Sequence, residues 1–299
     1  MAYDAEDRAA RRRRSAIYDK SFELTEARST VRPTIASRAA SRQVQGGSIT
    51  RSVSVIIPTH DRFESLLAAI ASVRSQTHRD LELIVVNDGS SDPAYDSTRP
   101  DDVTWIDLPV PTRVSCGRAC PGHVRNAGLA RASGDFVAFL DDDDEWLPAK
   151  LSKQLDAMAA SGLRMSCTEA LVGDGPMVPG SRYPVYHREF FRGFCVDHYR
   201  KTGRRWPGHL PDVFTRDFII EHNFIITSSV VVDRRLLHET GGFECLPRGE
   251  EDAELWLRCL ERTNCLHLNE PLVYYDGRGL VPPQHDSLHR RILRRVRVR

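Results

Sequence analysis

The sequence lacks a long hydrophobic run. None of its segments approaches the roughly 20 consecutive apolar residues that a helix needs to cross a bilayer. Near the start of the chain, the basic run Arg11–Arg14 is followed by Ser15–Lys20 and not by the apolar segment of a secretory signal. We therefore expect a cytoplasmic protein, and this leaves peripheral contact with the inner membrane face open.

The sequence also has almost no net charge. With 42 Lys and Arg against 41 Asp and Glu, the formal charge is +1, so no overall field predicts a nucleic-acid partner. Positive charge gathers at the chain ends instead, in Arg11–Arg14 and in a C-terminal group consisting of Arg290, Arg291, Arg294, Arg295, Arg297 and Arg299. Apolar residues are interspersed with the C-terminal group, which makes this tail a candidate for contact with an anionic membrane.

A disulfide framework is absent too. The seven cysteines are odd in number and irregularly spaced, which favours a reduced protein. Cys116, Cys120 and His123 could supply three zinc ligands, with Cys167 as a distant fourth. No second compact Cys/His pair accompanies them, and free cysteines are often buried packing residues. Packing is therefore the favoured interpretation of these cysteines, and zinc is the less favoured one.

The sequence does contain a regular alternation of strand and helix patterns from residue 52 onwards. Val53–Ile57 is a short apolar run that ends at Pro58, and apolar residues at helical spacing follow it. Leu81–Val86 is a second apolar run, closed by the turn residues Asn87–Asp92. Two strands joined by a helix run parallel, so the pattern predicts an α/β fold with a mostly parallel sheet.

Further elements are predicted along the chain. We expect strands at Val103–Ile106 and Phe224–Val232, and helices at Val124–Ala132, from Pro148 to Met158, from Asp233 to Gly241, and at Ala253–Arg262. The segment between residues 161 and 222 shows no clear periodicity.

The most informative segment is acidic. Asp141–Glu145 follows directly on the strand pattern of Phe136–Leu140. At an effective dielectric near 20, two unit charges about 4 Å apart repel by roughly 4 kcal/mol, so such carboxylates need solvent or a cation. A solvated turn is the common interpretation of a charge run, but ligands of open α/β sheets bind where strands end. The context therefore favours a divalent cation held by oxygen ligands.

Five segments resemble, in order, the family 2 glycosyltransferases of GT-A fold, which transfer a sugar from a nucleotide-diphosphate donor with inversion. They are Val55–Thr59 with Arg62, Val86–Ser90, Arg125–Gly128 with Ser133–Asp135, Phe139–Trp146, and Gly249–Asp252 with Leu255–Arg258. Ordered matches over roughly residues 52–276 are more specific than any single motif. The resemblance implies a Rossmann-like GT-A domain of three layers, α/β/α, with a mostly parallel central sheet.

Composition and resemblance together predict the organisation of the chain. Residues 1–50, rich in Arg, Ala and Ser, are expected to be a disordered extension. Residues 51–160 would form the nucleotide-sugar-binding half of the domain, residues 161–276 its acceptor-binding and catalytic-base half, and residues 277–299 a basic tail. The aromatic and basic segment Tyr183–Phe214 would shape an acceptor pocket, in preference to binding single-stranded nucleic acid.

In this family the acidic strand end is the D-x-D motif, whose last aspartate holds Mn²⁺ or Mg²⁺ against the donor diphosphate. The resemblance makes Asp143 the first metal candidate, with Asp141 beside it, and gives Asp141 or Asp142 the ribose contact; the register among the four aspartates stays open. It also implies a nucleoside and phosphate site formed by Pro58, Thr59, Asp61, Arg62, Asn87, Asp88 and Arg125. The segment Asn87–Ser90 is equally an ordinary turn sequence.

Inverting transfer needs a general base to take the proton of the attacking hydroxyl. The resemblance gives this role to Asp252, with Glu251 beside it. Acidic residues at a helix start also stabilise the helix electrostatically, which is the alternative interpretation.

The predicted function is metal-assisted, inverting transfer of a sugar to a hydroxyl of a sugar, glycan or lipid-linked acceptor, as in cell-envelope or polysaccharide biosynthesis. A catalytically silent nucleotide-sugar-binding or scaffold protein is the alternative, because a fold does not guarantee activity. A nucleotidyltransferase has a similar layout but needs a glycine-rich basic loop after its first strand, which Pro58–Arg62 does not resemble.

Overall fold

A computed structural model of the chain describes residues 51–278, apart from residue 202 and residues 247–249. The predicted extension at residues 1–50 and the arginine-rich part of the predicted tail lie outside the described residues. Within the described part of the chain, no helix is long and apolar enough to cross a membrane.

The described residues form nine strands that join one sheet. The strands are β1 (Val53–Thr59), β2 (Leu81–Asn87), β3 (Val103–Asp107), β4 (Phe136–Phe139), β5 (Glu145–Trp146), β6 (Met165–Gly173), β7 (Val213–Phe214), β8 (Val231–Asp233) and β9 (Cys265–Asp276).

Ten α-helices and one 3₁₀ turn, Thr227–Ser229, connect these strands in the described residues. The helices are α1 (Phe63–Arg74), α2 (Ala94–Ser97), α3 (Thr112–Ser115), α4 (Pro121–Arg131), α5 (Lys150–Ser161), α6 (Tyr186–Phe190), α7 (Arg192–Lys201), α8 (Arg216–Glu221), α9 (Arg234–Thr240) and α10 (Glu251–Cys259).

Helices cover both faces of the sheet, as the three-layer prediction requires. Side chains of β1 alternate between the faces: Ile56 joins a cluster that contains Leu129 of α4, whereas Val55 joins a second cluster that contains Leu66 of α1. Helix α4 lies very close to β1: a Cβ added at Gly128 would lie only 2.5 Å from Cγ2 of Ile56. The predicted three-layer α/β/α arrangement is thus confirmed.

The expectation of a mostly parallel sheet is only partly confirmed, because the sheet is mixed. Its order is β3-β2-β1-β4-β8-β6-β9-β5, with β7 paired to β9. The first four strands in this order are parallel, and so are β6 and β9, but β8 is antiparallel to both of its neighbours and β5 and β7 are antiparallel to β9. The turn before β8 is held beside the acidic segment, at the carboxyl edge of β4. Strand β8 therefore starts at this edge and runs back against β4.

The predicted strand at Phe224–Val232 is wrong for most of its length. The structure has the 3₁₀ turn there, and β8 begins only at Val231. The backbone carbonyls of Ser228 and Ser229 accept hydrogen bonds from the side chains of Trp146 and Gln154, so these groups are not available to a strand ladder.

Strand β6 lies in the segment where the sequence shows no periodicity. It is buried on both faces and is paired with β8 and β9. Its buried residues include Ser166, Thr168 and Glu169, which hide the apolar pattern of a central strand.

The other predicted elements are close to the observed ones. Strand β3 and helix α4 are confirmed, and the Asp233 side chain caps α9 by accepting the Leu236 N–H at 3.0 Å. Helix α9 ends at Thr240 and is capped by Gly241, which has a φ of 83°. Helix α5 begins at Lys150, after Pro148, and α10 spans Glu251–Cys259 instead of Ala253–Arg262.

Candidate active site

The carboxyl ends of the central parallel strands meet at one edge of the sheet. Thr59 of β1 is in register with Asn87 of β2, and Ile56 is in register with Phe139, the last residue of β4. The acidic segment therefore begins at the same level as Pro58. The Ile56 carbonyl accepts the N–H of Leu140, after β4, and the Thr59 carbonyl accepts the N–H of Asp88, after β2. Successive residues of β1 thus face the two neighbouring strands in turn, and Pro58 faces the β4 side. Because Pro58 lies beyond the last β1–β4 pair, its missing N–H removes no ladder bond.

A cleft of about 630 Å³ opens at this edge, within the range of about 300–1,000 Å³ that is typical of small-molecule sites. The predicted residues on its wall are Pro58, Thr59, Asp61, Arg62, Asp88, Arg125, Asp141, Asp142 and Asp143. Asn87, Glu251 and Asp252 were also predicted for the site but do not line the cleft. The structure thus brings nine of the predicted residues together.

The loops after β1 and β2 hold each other in place. The Asp61 carboxylate accepts the backbone N–H of Ser91 at 2.6 Å, and this hydrogen bond lowers the pKa of Asp61. Asn87 donates to Asp107 at the end of β3 and accepts the N–H of Ser90 within the turn, so both ends of its side-chain amide have partners. We expect the roles of Asp61 and Asn87 in donor binding to be indirect.

Asp88 is buried and fixes the next segment of the cleft. Its carboxylate accepts hydrogen bonds from both the backbone N–H and the hydroxyl of Thr112. This holds helix α3, and with it Arg113, which also lines the cleft.

The four consecutive aspartates have four different surroundings. Asp141 forms an ion pair with Arg125 at 2.5 Å. Asp142 accepts a hydrogen bond from Thr59 at 2.8 Å and pairs with Arg62 at 3.2 Å, and Asp143 pairs with the same Arg62 nitrogen at 2.5 Å. The first three aspartates therefore face the cleft.

Asp144 points away from the cleft. It is 1% exposed, it accepts a hydrogen bond from the Ser228 hydroxyl, and it accepts the backbone N–H of Asp276 at 2.9 Å. The Ser228 hydroxyl also accepts the N–H of Asp141 at 3.0 Å, so one serine connects both ends of the acidic segment. Asp144 is therefore not placed to hold a ligand in the cleft, which leaves Asp141, Asp142 and Asp143 as the candidates.

Burial makes the negative charge of this wall costly. It raises the pKa of Asp142 to about 6, and burial together with the neighbouring Asp141 raises the pKa of Asp143. Two arginines lie against the three carboxylates, yet the carboxyl pKa values of Asp142 and Asp143 remain raised.

A divalent cation fits this donor set. Asp141 and Asp143 present hard oxygen ligands on a common wall, and an added positive charge would offset the burial and the carboxylate repulsion that raise the pKa values of Asp142 and Asp143. Within the described residues, the acidic segment does not bring three carboxylate oxygens within 4.8 Å of one another. Oxygens of a bound substrate and water would therefore complete the shell.

Arg125 connects the acidic segment to helix α10. The side chain is 6% exposed, and its guanidinium lies 2.5 Å from Asp141 and 3.6 Å from Glu251. Its Nε is buried and has no hydrogen-bond partner among the described residues. Arg125 thus joins the wall of the cleft to the first turn of α10, where the predicted base lies.

Asp252 is half-buried, and Oδ2 accepts a hydrogen bond from the Thr227 hydroxyl at 2.8 Å. Burial raises the pKa of the Asp252 carboxyl, and it raises that of Glu251 as well. Glu251 is 5% exposed and paired with Arg125, whereas Asp252 is partly open to solvent. Of the two carboxylates, Asp252 is therefore the more exposed.

Sequence reasoning missed other residues of the site. Arg113, Tyr275, Asp276 and Arg278 line the cleft, and Asp276 pairs with Arg278. Tyr275 and Asp276 are the last residues of β9, a strand that the sequence pattern did not predict, and Arg278 follows it. Thr227 and Ser228 lie in a segment predicted as strand, and nothing in the sequence indicates their hydrogen bonds to the carboxylates.

A comparison with known protein families matches residues 54–219 to the family described as glycosyl transferase family 2. The chain is 28% identical over 217 residues to an Escherichia coli protein named UDP-Glc:alpha-D-GlcNAc-diphosphoundecaprenol beta-1,3-glucosyltransferase WfgD, and the alignment covers 73% of each chain. Some other curated relatives are matched over less of their length, since the chain spans 33% of one and 41% of another.

Two solved structures have a similar fold. Staphylococcus aureus TarS 1-349 in complex with UDP-GlcNAc gives a TM-score of 0.54 at 17% identity, over 83% of this chain and 66% of that one. The mannosyltransferase PcManGT from Pyrobaculum calidifontis, in complex with GDP-Man and Mn²⁺, gives 0.52 at 18% identity, over 80% of this chain and 59% of that one. Because the family match covers more than half of the sequence, the chain belongs to glycosyl transferase family 2.

Proposed function

We propose that this protein transfers a sugar from a nucleotide-diphosphate sugar to an acceptor hydroxyl, with inversion and with the help of a divalent cation. The observation that carries the proposal is the cleft at the carboxyl edge of the sheet, which combines the adjacent carboxylates Asp141–Asp143 with four arginines: Arg62, Arg113, Arg125 and Arg278. Carboxylates suit a cation and a ribose hydroxyl, and arginines suit a diphosphate. The two solved structures described above were determined with nucleotide sugars bound, which supports this donor class.

Asp143 and Asp141 would hold the cation, and Asp142 would contact the ribose. When bound, Mn²⁺ or Mg²⁺ would stabilise the negative charge of the departing diphosphate as a Lewis acid. The Mn²⁺ bound to PcManGT is consistent with a metal of this kind. Arg125 would keep Asp141 oriented, because its guanidinium is fixed between that carboxylate and Glu251.

Asp252 would accept the proton of the attacking hydroxyl. The Thr227 hydroxyl orients Oδ2, and burial raises the carboxyl pKa above its ordinary value, which makes the carboxylate a stronger base. Glu251 would act through Arg125, since this arginine lies against its buried carboxylate.

The acceptor proposed is a sugar on a lipid diphosphate. This proposal is supported by the E. coli relative, whose name specifies a diphosphoundecaprenol-linked GlcNAc. The aromatic segment around α6 and α7 would lie on the acceptor side of the site, and the basic tail would bring the protein to an anionic membrane.

The donor and the metal can be tested together. The full-length protein would be screened by thermal shift against UDP- and GDP-sugars, with Mn²⁺, Mg²⁺ or chelator, and then assayed for transfer to a polyprenyl-diphosphate-linked sugar. We expect stabilisation by one nucleotide class only when metal is present, followed by transfer. Tight donor binding with neither transfer nor donor hydrolysis would indicate the catalytically silent alternative.

Asp143→Asn and Asp144→Asn form a matched pair for the register. The first should abolish metal-dependent donor binding while the protein stays folded. The second should keep it, because Asp144 faces Ser228 and not the cleft. Wild-type transfer by folded Asp143→Asn protein would overturn the metal assignment.

A further inference from the structure

Three cysteines converge beside the cleft. The sulfur atoms of Cys116, Cys120 and Cys245 all lie within 4.8 Å of one another. Cys116 and Cys120 flank the short loop between α3 and α4, whereas Cys245 lies far along the chain, between α9 and α10. All three are free thiols, and among the described residues no other His, Cys, Asp or Glu joins the cluster.

The two segments that carry these cysteines are held together independently of the thiols. The Asn126 side chain of α4 donates to the carbonyl of Phe243 at 2.8 Å and accepts its N–H at 2.9 Å. At the start of α4, a Cβ on Gly122 would lie 3.0 Å from Cβ of Phe243 and 2.9 Å from Cγ of Glu251. The position of Cys245 against Cys116 and Cys120 is therefore set by close packing.

The ligand set is typical of zinc. Thiolates are soft ligands, which Zn²⁺ accepts and which Mg²⁺ and Ca²⁺ avoid. Two ligands separated by three residues match the short Cys spacing of structural zinc sites. A tetrahedral site with Zn–S bonds of about 2.3 Å separates its sulfurs by about 3.8 Å, so small rotations of the thiols would be enough.

A cation also lies at the cluster. The Arg118 guanidinium is 3.7 Å from the Cys245 sulfur and donates to the Cys245 carbonyl at 3.1 Å. Three thiolates and one Zn²⁺ carry a net charge of −1, which this arginine would offset.

We propose that Cys116, Cys120 and Cys245 bind one Zn²⁺, with water in the fourth position. Binding would release the thiol protons to solvent and change no oxidation state. The ion would link the loop before α4 to the segment before α10, and so fix the helix that carries Arg125 relative to the helix that carries Glu251 and Asp252. Cys120 also lines the donor cleft, but the zinc ligands would be the three sulfurs and not the carboxylate oxygens proposed for the donor's cation.

A zinc site explains the cluster better than a disulfide does. One disulfide would use two of the three sulfurs and leave a third thiol beside it. The less favoured zinc interpretation of the sequence included His123 and, as a distant fourth ligand, Cys167. In the structure Cys167 lies 3.6 Å from Cys265 in the core, and His123 is not part of the cluster.

The test uses full-length protein purified without chelator or added metal. Metal content would be measured by mass spectrometry, and the metal-free protein would be titrated with Co²⁺, whose thiolate complexes show sulfur-to-metal charge-transfer absorption that oxygen sites lack. We expect about one zinc per chain and a cobalt–thiolate band. Cys116→Ser, Cys120→Ser and Cys245→Ser should each lose both signals, and Arg118→Gln should weaken zinc binding by about 10–100-fold.

The matched control is Cys195→Ser, since Cys195 and Cys120 are each 2% exposed but Cys195 lies outside the cluster. It should retain zinc. Circular dichroism would establish folding, and the exposed Cys245 gives a variant for which unfolding is not expected. Zinc content unchanged in all three ligand variants, no cobalt–thiolate band, or a disulfide within the cluster found by non-reducing alkylation would each overturn the proposal.

Discussion

Asp252 differs from an ordinary surface carboxylate in its burial and in its bond to Thr227. If it is the general base, Asp252→Asn should lower kcat by about 10²–10⁴-fold and leave donor affinity unchanged. Because the base must be ionised and its pKa is raised, kcat of the wild type should fall on the acidic side at a pH above the ordinary aspartate value. Steady-state kinetics against pH, with isothermal titration of the donor, would measure both effects.

Glu251→Gln is the useful comparison for that variant. It should weaken donor binding through Arg125 more than it lowers kcat. Full turnover by a folded Asp252→Asn protein would exclude Asp252 as the base.

Asp142 makes stability depend on pH. Burial raises its pKa from 3.8 to about 6, so folding favours the protonated carboxyl. Its contribution to stability is complete below about pH 4 and is lost as pH rises through about 6. Asn stays neutral, and two pKa units correspond to about 3 kcal/mol. Between pH 4 and pH 7, the stability of metal-free Asp142→Asn relative to wild type should therefore rise by about 3 kcal/mol in urea titrations.

Asp156→Asn is the control for this measurement, because Asp156 is exposed and its ion pair with Arg51 is a surface pair. Its stability difference from wild type should not vary over the same pH range. A constant difference for Asp142→Asn as well would contradict the raised pKa.

At this scale the sequence predicted the chemistry better than the geometry. Adjacent carboxylates at a strand end indicate a charged site, so the run Asp141–Asp143 could be identified as part of such a site. The inward orientation of Asp144 depends on Ser228 and on the backbone of Asp276, which are distant in the chain. No local pattern contains that information.

Among the helices, α4 packs against β1 with no room for an additional methyl group. In Gly128→Ala, the new Cβ would lie 2.5 Å from Ile56 and 3.2 Å from Val86. We expect a loss of about 1–3 kcal/mol in the free energy of unfolding, because the backbone of α4 or β1 must shift. Because α4 also carries Arg125, donor binding should weaken in the same variant.

Gly193→Ala in helix α7 is the matched control. Gly193 is exposed, and a Cβ there meets nothing within 4 Å. This variant should be neutral or up to about 1 kcal/mol more stable, since Ala is the better helix former. Equal effects of the two substitutions in denaturant titrations would contradict the close contact.

The elements that sequence could predict are those with regular apolar spacing, such as β1, α1 and β2. Strand β6 carries buried Glu169, which accepts hydrogen bonds from both His187 and the backbone of Ala170. Tertiary partners thus satisfy a charged residue inside a central strand, and the alternation used for prediction is lost.

For the whole molecule, the arginine-rich tail predicts membrane contact. Deleting residues 279–299, which lie outside the described part of the chain, should reduce binding to anionic vesicles by more than about a hundredfold, since each basic residue contributes about 1 kcal/mol near such a surface. Vesicle sedimentation would measure this, with neutral vesicles as the reference.

Replacing only the six tail arginines by glutamine separates charge from apolar contact. The loss should match that of the deletion if charge dominates. Unchanged sedimentation of the deleted protein would exclude the tail as the contact, and thermal stability should be the same in all three proteins.

The order in which the chain is made also matters for the acidic segment. Strand β5 pairs with β9, and Asp144 bonds to the backbone of Asp276, which is 132 residues further on. During synthesis, strands β1–β4 therefore leave the ribosome well before Asp276, whose backbone orients Asp144. Contacts this distant form slowly. Tyr275 and Asp276, at the end of β9, also line the cleft. We infer that a nascent chain ending before β9 contains β1–β4 but has no completed donor site, so the protein becomes competent to bind its substrate only after β9 has been made.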